Sequence, residues 1–258
     1  LASRRWYASV QTLADGSVFV ASGSLNGLDP LKNENNNPTY EILDRDGISN
    51  GKNVPMEILE KAQPYHMYPF VHLLPDKSLF VLSDRFCQLF TPQDNNIIKE
   101  LPDIPGMHRT YPNTGGSVLL PLTSDRDFEP EIIVCGGGAY QDITSPTDDT
   151  CGRIKPLSDE PHWKVLNMPQ GRGMVEGVLL LDGTVLWVNG AEQGAEGFGI
   201  AKTPTLEALI FDPKSDSWSV SLFGLWGGRL GSRYRADRLS DHRQQTYQPL
   251  HECTTRSP

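Results

Sequence analysis

One unit of sequence returns four times, and that repetition limits the fold more than any other feature of the chain. "YASVQTLADGSVFVASGS" at 7–24 is matched by "YPFVHLLPDKSLFVLSDR" at 68–85. The third copy is "YPNTGGSVLLPL" with "EPEIIVCGGG", spanning 111–138, and the fourth is "MVEGVLLLDGTVLWVNGA" at 174–191. The copies start at Tyr7, Tyr68, Tyr111 and Met174. Each reads as an apolar strand, a turn, a Val/Ile/Leu/Phe strand, then small residues, with further alternating strands behind it. Hydrophobic alternation has period two, and no amphipathic 3.6-residue stretch interrupts it. Units of roughly 40 to 60 residues with four short strands and a terminal glycine run are the pattern of propeller blades. A sandwich would space its strands more evenly, every 8 to 12 residues or so. The expectation is therefore an all-β, partial kelch-type β-propeller of about four blades over residues 1–220. The stretch 221–258, with six arginines and no lysine, reads as an irregular, disordered or aberrant tail.

Composition narrows the function classes. A net charge of −9 argues against nucleic acid or an anionic membrane surface as partner. No run approaches the roughly 18 apolar residues of a membrane span. The cysteines are Cys87, Cys135, Cys151 and Cys253, with no C-x-x-C pair to suggest zinc or a redox motif. Spacing alone leaves Cys135 and Cys151 open to a disulfide or to two free thiols, and Cys87 reads as a small apolar filler.

Five segments carry a family resemblance: "RRWYASVQTLADGSVFVASGS", "MYPFVHLLPDKSLF", "HRTYPNTGGSVLLPL", "CGGGAYQD" and "GRGMVEGVLLLDGTVLWVNGAEQG". In this order they resemble the fungal glyoxal oxidases. These are copper radical oxidases related to galactose oxidase and built on a seven-bladed kelch-type propeller. The resemblance implies oxidation of a small aldehyde to a carboxylic acid with reduction of O₂ to H₂O₂. It implies a copper ion held by two tyrosines and two histidines, one tyrosine being the radical phenol. That phenol falls on Tyr7, making Tyr7 the candidate catalytic residue and metal ligand; from the residues alone Tyr7 reads as an aromatic packing at a blade edge. Tyr140 and Gln141 match pocket residues of the galactose oxidase relatives. A Cys135–Cys151 disulfide and a secreted location are implied as well.

The remaining copper ligands do not fall where the family places them. Tyr65-His66 is the sole Tyr-His dipeptide and comes too early; His72, His108 and His162 have no paired ligand, and His242 and His251 lie in the tail. The expectation is a truncated relative that binds no copper itself, with a non-enzymatic kelch-like binding module as the alternative.

Overall fold

A computed structural model describes residues 1–27, 29–197 and 199–221; the tail beyond them lies outside the described residues. Four antiparallel sheets of four strands follow one another along the chain. The first holds β1 (Ser9–Thr12), β2 (Val18–Ala21), β3 (Thr39–Leu43) and β4 (Val54–Pro55), in that order. The second holds β5 (Phe70–Leu73), β6 (Leu79–Ser83), β7 (Phe86–Thr91) and β8 (Asn96–Leu101). In the third, β9 (Gly116–Leu119), β10 (Ile132–Cys135), β11 (Thr150–Ile154) and β12 (Lys164–Asn167) meander likewise. The fourth differs: between β14 (Val185–Val188) and β17 (Ala208–Asp212) the chain inserts a separate hairpin, β15 (Ala191–Gly194) with β16 (Ala201–Pro204). β13 (Glu176–Leu179) and β18 (Ser217–Ser221) complete that sheet. The one α-helix described, α1 (Glu57–Lys61), links the first two sheets and was not signalled by any apolar periodicity.

The D-x-S/T turns of the repeat explain themselves in the structure. Asp15 Oδ1 accepts from the Ser17 amide and hydroxyl, Asp76 Oδ1 from those of Ser78, and Asp182 Oδ1 from those of Thr184. These side-chain-to-backbone bonds stabilise the tight turn between the first two strands of a sheet. The third copy lacks the aspartate and joins β9 to β10 by a longer loop carrying a 3₁₀ turn at Ser124–Arg126.

Burial shows why the sheets stack in series. β6 and β10 are buried along their whole length, because alternate residues face opposite neighbours. Leu79 and Val81 pack with Phe19, Ala21 and Tyr40 of the first sheet. Phe80 and Leu82 pack with Ile132, Val134 and Ile154 of the third. Ile133 and Cys135 turn the other way, onto Val185, Trp187, Leu209 and Phe211 of the fourth. Three cores thus separate four sheets, which is the blade stacking of a β-propeller. First strands are neighbours: β1 lies beside β5 and β9 beside β13, and His72 Nε2 on β5 is 2.7 Å from Ser117 Oγ on β9.

Cys135 and Cys151 are register partners on β10 and β11, joined Sγ to Sγ with their Cα atoms 4.1 Å apart. Both are fully buried in the core between the third and fourth sheets. A bond closing a loop of this length restricts the unfolded chain by about 3 kcal/mol. The Cys135→Ala/Cys151→Ala double variant should lose about that much in urea unfolding. Cys87 is a buried free thiol. Among the described residues no helix is long and apolar enough to cross a membrane.

Candidate functional site

Three of the four repeat starts share one backbone conformation. Tyr7, Tyr68 and Met174 have φ of 61°, 55° and 58°, a left-handed conformation that non-glycine residues adopt at a cost of about 1 kcal/mol or more. The surroundings enforce it. Two residues before the start stand Arg5, His66, Arg109 and Arg172, all with their side chains directed into the sheet. Arg5 Nη1 donates to Ser22 O (3.0 Å) and Thr39 O (2.8 Å), and Nε to Glu41 Oε1 (2.7 Å). Arg109 repeats the pattern, donating to Gly136 O, Thr150 O and Pro105 O beside the Asp148 carboxylate. Arg172 reaches Asn189 O at 3.2 Å. In the second copy His66 takes the position, its Nδ1 2.8 Å from Ser22 Oγ. Each group pins the lead-in segment to the far end of the second strand of its own sheet or of the sheet beside it.

Successive starts are also tied to one another. The Tyr68 amide donates to Tyr7 O (3.3 Å), the Tyr111 amide to Met67 O (3.2 Å) and the Met174 amide to Thr114 O (2.6 Å). With the backbone so held, three phenol rings converge. Tyr7 and Tyr68 stack with centroids 4.7 Å apart and planes at 29°, and Tyr111 lies 4.9 Å from Tyr7 at 58°. Trp6, 57% exposed, meets Tyr7 edge-on at 6.0 Å.

Beside the rings runs a cleft of about 490 Å³ lined by Ser9, Tyr68, Phe70, Thr114, Ser117, Met174 and Glu196 among others. The close approach of β13 to the third sheet forms its floor: a Cβ at Gly116 would lie 2.6 Å from Val175 O and 2.9 Å from the Trp187 ring. Glu196 comes from the β15–β16 hairpin. Its amide donates to Pro112 O (2.7 Å), and its Oε2 accepts from Thr114 Oγ1 (2.6 Å). Burial lifts this carboxyl above the ordinary range, with the Thr114 bond opposing. Burial, the Tyr7 phenol and the Glu196 charge push Tyr111 up to about 12, and burial with Glu196 and Tyr7 raises Tyr68. Desolvation and a like-signed neighbour both disfavour a phenolate.

The donor set around Tyr7 does not fit a cage of two phenols and two imidazoles. Tyr7 has aromatic neighbours Trp6, Tyr68 and Tyr111. Each of the four described imidazoles has one ring nitrogen bonded away from the cluster, His66 to Ser22, His72 to Ser117, His108 to Asp84 Oδ1 (2.5 Å) and His162 to Glu160 O (3.0 Å), and none is among the ring neighbours of Tyr7. Among the described residues no group of three or more His, Cys, Asp or Glu side chains could hold a metal ion. His242 and His251 lie outside the described residues. Tyr140 is 65% exposed and Gln141 is exposed beside it, on a loop organised by Asp142, which accepts from the Thr144 and Ser145 amides. The structure thus brings Tyr7 to the cluster and leaves Tyr140 and Gln141 off the cleft lining. It adds Tyr68, Tyr111 and Glu196, which sequence reading had not assembled. An aromatic at the same position of three repeats was the available signal for the first two; Glu196 sits in an insertion and gave none.

Comparison with known proteins bears on the family and the fold. The glyoxal oxidase N-terminus family matches residues 1–222. The aldehyde oxidase GLOX of Vitis pseudoreticulata is 34% identical over 219 residues, covering 83% of this chain and 39% of that protein. The aldehyde oxidase GLOX1 of Arabidopsis thaliana is 32% identical over 229 residues, with coverage of 83% and 35%. The chain therefore spans less than two fifths of the length of these relatives. The solved structure of YjhT superposes with a TM-score of 0.53 at 12% identity, over 83% of this chain and 70% of that one, a likeness of fold. On the family match over residues 1–222, the chain belongs to the glyoxal oxidase N-terminal family.

Proposed function

We propose that residues 1–221 are part of an oxidase that converts a small aldehyde, O₂ and water into a carboxylic acid and H₂O₂. The family match over 222 residues is the observation that carries this reading. The convergence of Tyr7 with two further phenols beside an open cleft supports it. In this reading Tyr7 supplies one phenol donor, Tyr140 and Gln141 form the outer rim of the substrate pocket, and the protein acts in the extracellular space. Copper affinity comes from several nitrogen and oxygen donors in fixed geometry. The described residues offer phenols and a carboxylate at the cluster while their imidazoles are bonded elsewhere. The further donors must come from outside those residues, and this chain by itself holds no copper tightly.

Titration of the full chain with Cu(II), followed by a peroxide assay with methylglyoxal, tests the donor argument. No stoichiometric tight binding and no peroxide are expected. One-to-one binding with a visible absorption band, or peroxide formation, would overturn it. The aldehyde reading makes a separate demand of this chain: saturable, weak binding of an aldehyde in the cleft.

A further inference from the structure

Three of the four lead-in segments place an arginine inside the sheet, and two of the three meet a carboxylate there. Arg5 pairs with Glu41 at 2.7 Å, and Arg109 lies 3.3 Å from Asp148 Oδ2. Arg172 is as deeply buried, at 0% exposure, yet it forms no ion pair among the described residues. Its Nη1 donates to Asn189 O, while Nε and Nη2 have no acceptor. These two nitrogens share the edge of the guanidinium that grips a carboxylate side-on. Arg5 leaves no nitrogen free, and Arg109 leaves only Nε. The charges that act on Arg172 are those of Glu207 and Glu192, both exposed. Glu207 accepts from Gln170 Nε2 (3.3 Å) instead.

Register between the copies shows what the fourth one lacks. In the third, the Asp148 amide donates to Gly137 O, one residue beyond the carbonyl that Arg109 grips. In the fourth, the Thr205 amide donates to Gly190 O, one residue beyond the carbonyl that Arg172 grips. Thr205 therefore stands where the third copy has its carboxylate, and its buried Oγ1 has no partner. Buried polar atoms in folded proteins find partners, and a buried cation without a counter-charge is strongly destabilising. Water would satisfy the donors and leave the charge. A small anion does both.

We propose that Arg172 and Thr205 form an internal anion site, which takes a halide or a small carboxylate in place of the side chain that Asp148 supplies in the preceding sheet. Neither residue lines the cleft beside the tyrosines, and the site does not depend on the aldehyde reading. Its ligand is a structural counter-ion: it binds the folded chain and not the unfolded one, so it adds to stability by mass action.

The test compares the thermal midpoint of the full chain in sodium chloride, sodium formate and sodium gluconate at equal ionic strength, gluconate being too bulky for a closed site. Chloride or formate should raise the midpoint saturably, by about 2–4 °C over gluconate. The concentrations at which the two act tell a halide site from a carboxylate site. Chloride NMR line broadening on wild type should saturate in the same range, a readout that requires no variant to fold. Thr205→Asp, which gives the fourth copy the carboxylate of the third, should abolish the response to both anions. One midpoint in all three salts, or line broadening that does not saturate, would overturn the proposal, as would a response that survives in Thr205→Asp. A response seen only in Glu207→Gln would overturn it too, because Glu207 would then fill the guanidinium edge in wild type.

Discussion

Lowering the pH from 7 to 4 should remove a large part of the stability of the four-sheet unit, and two imidazoles carry the loss. His66 is wholly buried with Nε2 unpaired, and His72 on β5 faces Ser117 on β9; burial pulls both down to about 4 from an ordinary 6.5. The folded form keeps these rings neutral where the unfolded chain would protonate them. Above pH 6.5 neither state is charged and nothing is lost. Between 6.5 and 4 the unfolded chain takes up a proton that the folded protein refuses, so stability falls with pH through that window. The full difference corresponds to about 3 kcal/mol per imidazole. Glu196, whose folded carboxyl binds its proton more tightly than the unfolded one, acts in the opposite sense as pH falls. The depressed carboxyls of the turns, Asp15, Asp142 and Asp182, matter at lower pH still. Urea midpoints measured from pH 7.5 to 4 should therefore drop steeply, and His66→Gln should flatten the curve. A midpoint constant across the window would refute the assignment.

The contrast between His66 and its counterparts shows what sequence could and could not reveal. Repetition of apolar pairs located all four second strands, three of them behind a D-x-S/T turn, because an Asx-type turn and period-two alternation are local properties. The stacking of the sheets has its trace in β6 and β10, apolar runs buried along their whole length, which the period-two reading does not single out. The site was less legible, since Tyr7, Tyr68 and Tyr111 are brought together by backbone bonds between repeat starts rather than by any motif. Aligning the repeats two positions further back would have exposed the Arg5, His66, Arg109, Arg172 series. His66 then reads as the neutral occupant of an arginine position instead of half of a Tyr-His dipeptide. Glu196 had no such route: the β15–β16 hairpin breaks the register of the fourth copy, and an inserted loop carries no periodic signal. Tyr140 and Gln141 came from resemblance alone, and within the described residues they occupy an exposed loop.

The series also identifies the substitution with the greatest expected cost. Arg109 is fully buried, and its guanidinium serves Gly136 O, Thr150 O, Pro105 O and Thr150 Oγ1 while lying 3.3 Å from Asp148 Oδ2. Arg109→Ala removes the donors from three carbonyl groups, two of them at the ends of β10 and β11. It also leaves Asp148 a buried charge held only by the Met107 amide and by Thr150. Breaking a buried ion pair by deleting one partner costs roughly 3–5 kcal/mol; Thr150 O keeps the Gly136 amide as donor, while Gly136 O and Pro105 O lose the guanidinium and add to that figure. Arg109→Lys keeps the charge without the planar fork and should recover less than half of the loss. The segment from Pro105 to Tyr111 would lose its anchor, so the Tyr111 ring should leave its place against Tyr7, a displacement that tyrosine fluorescence or ring NMR shifts would register alongside the urea midpoint. A loss under about 1 kcal/mol with unchanged ring signals would mean that water substitutes for the guanidinium and that the arginine series does not organise the site.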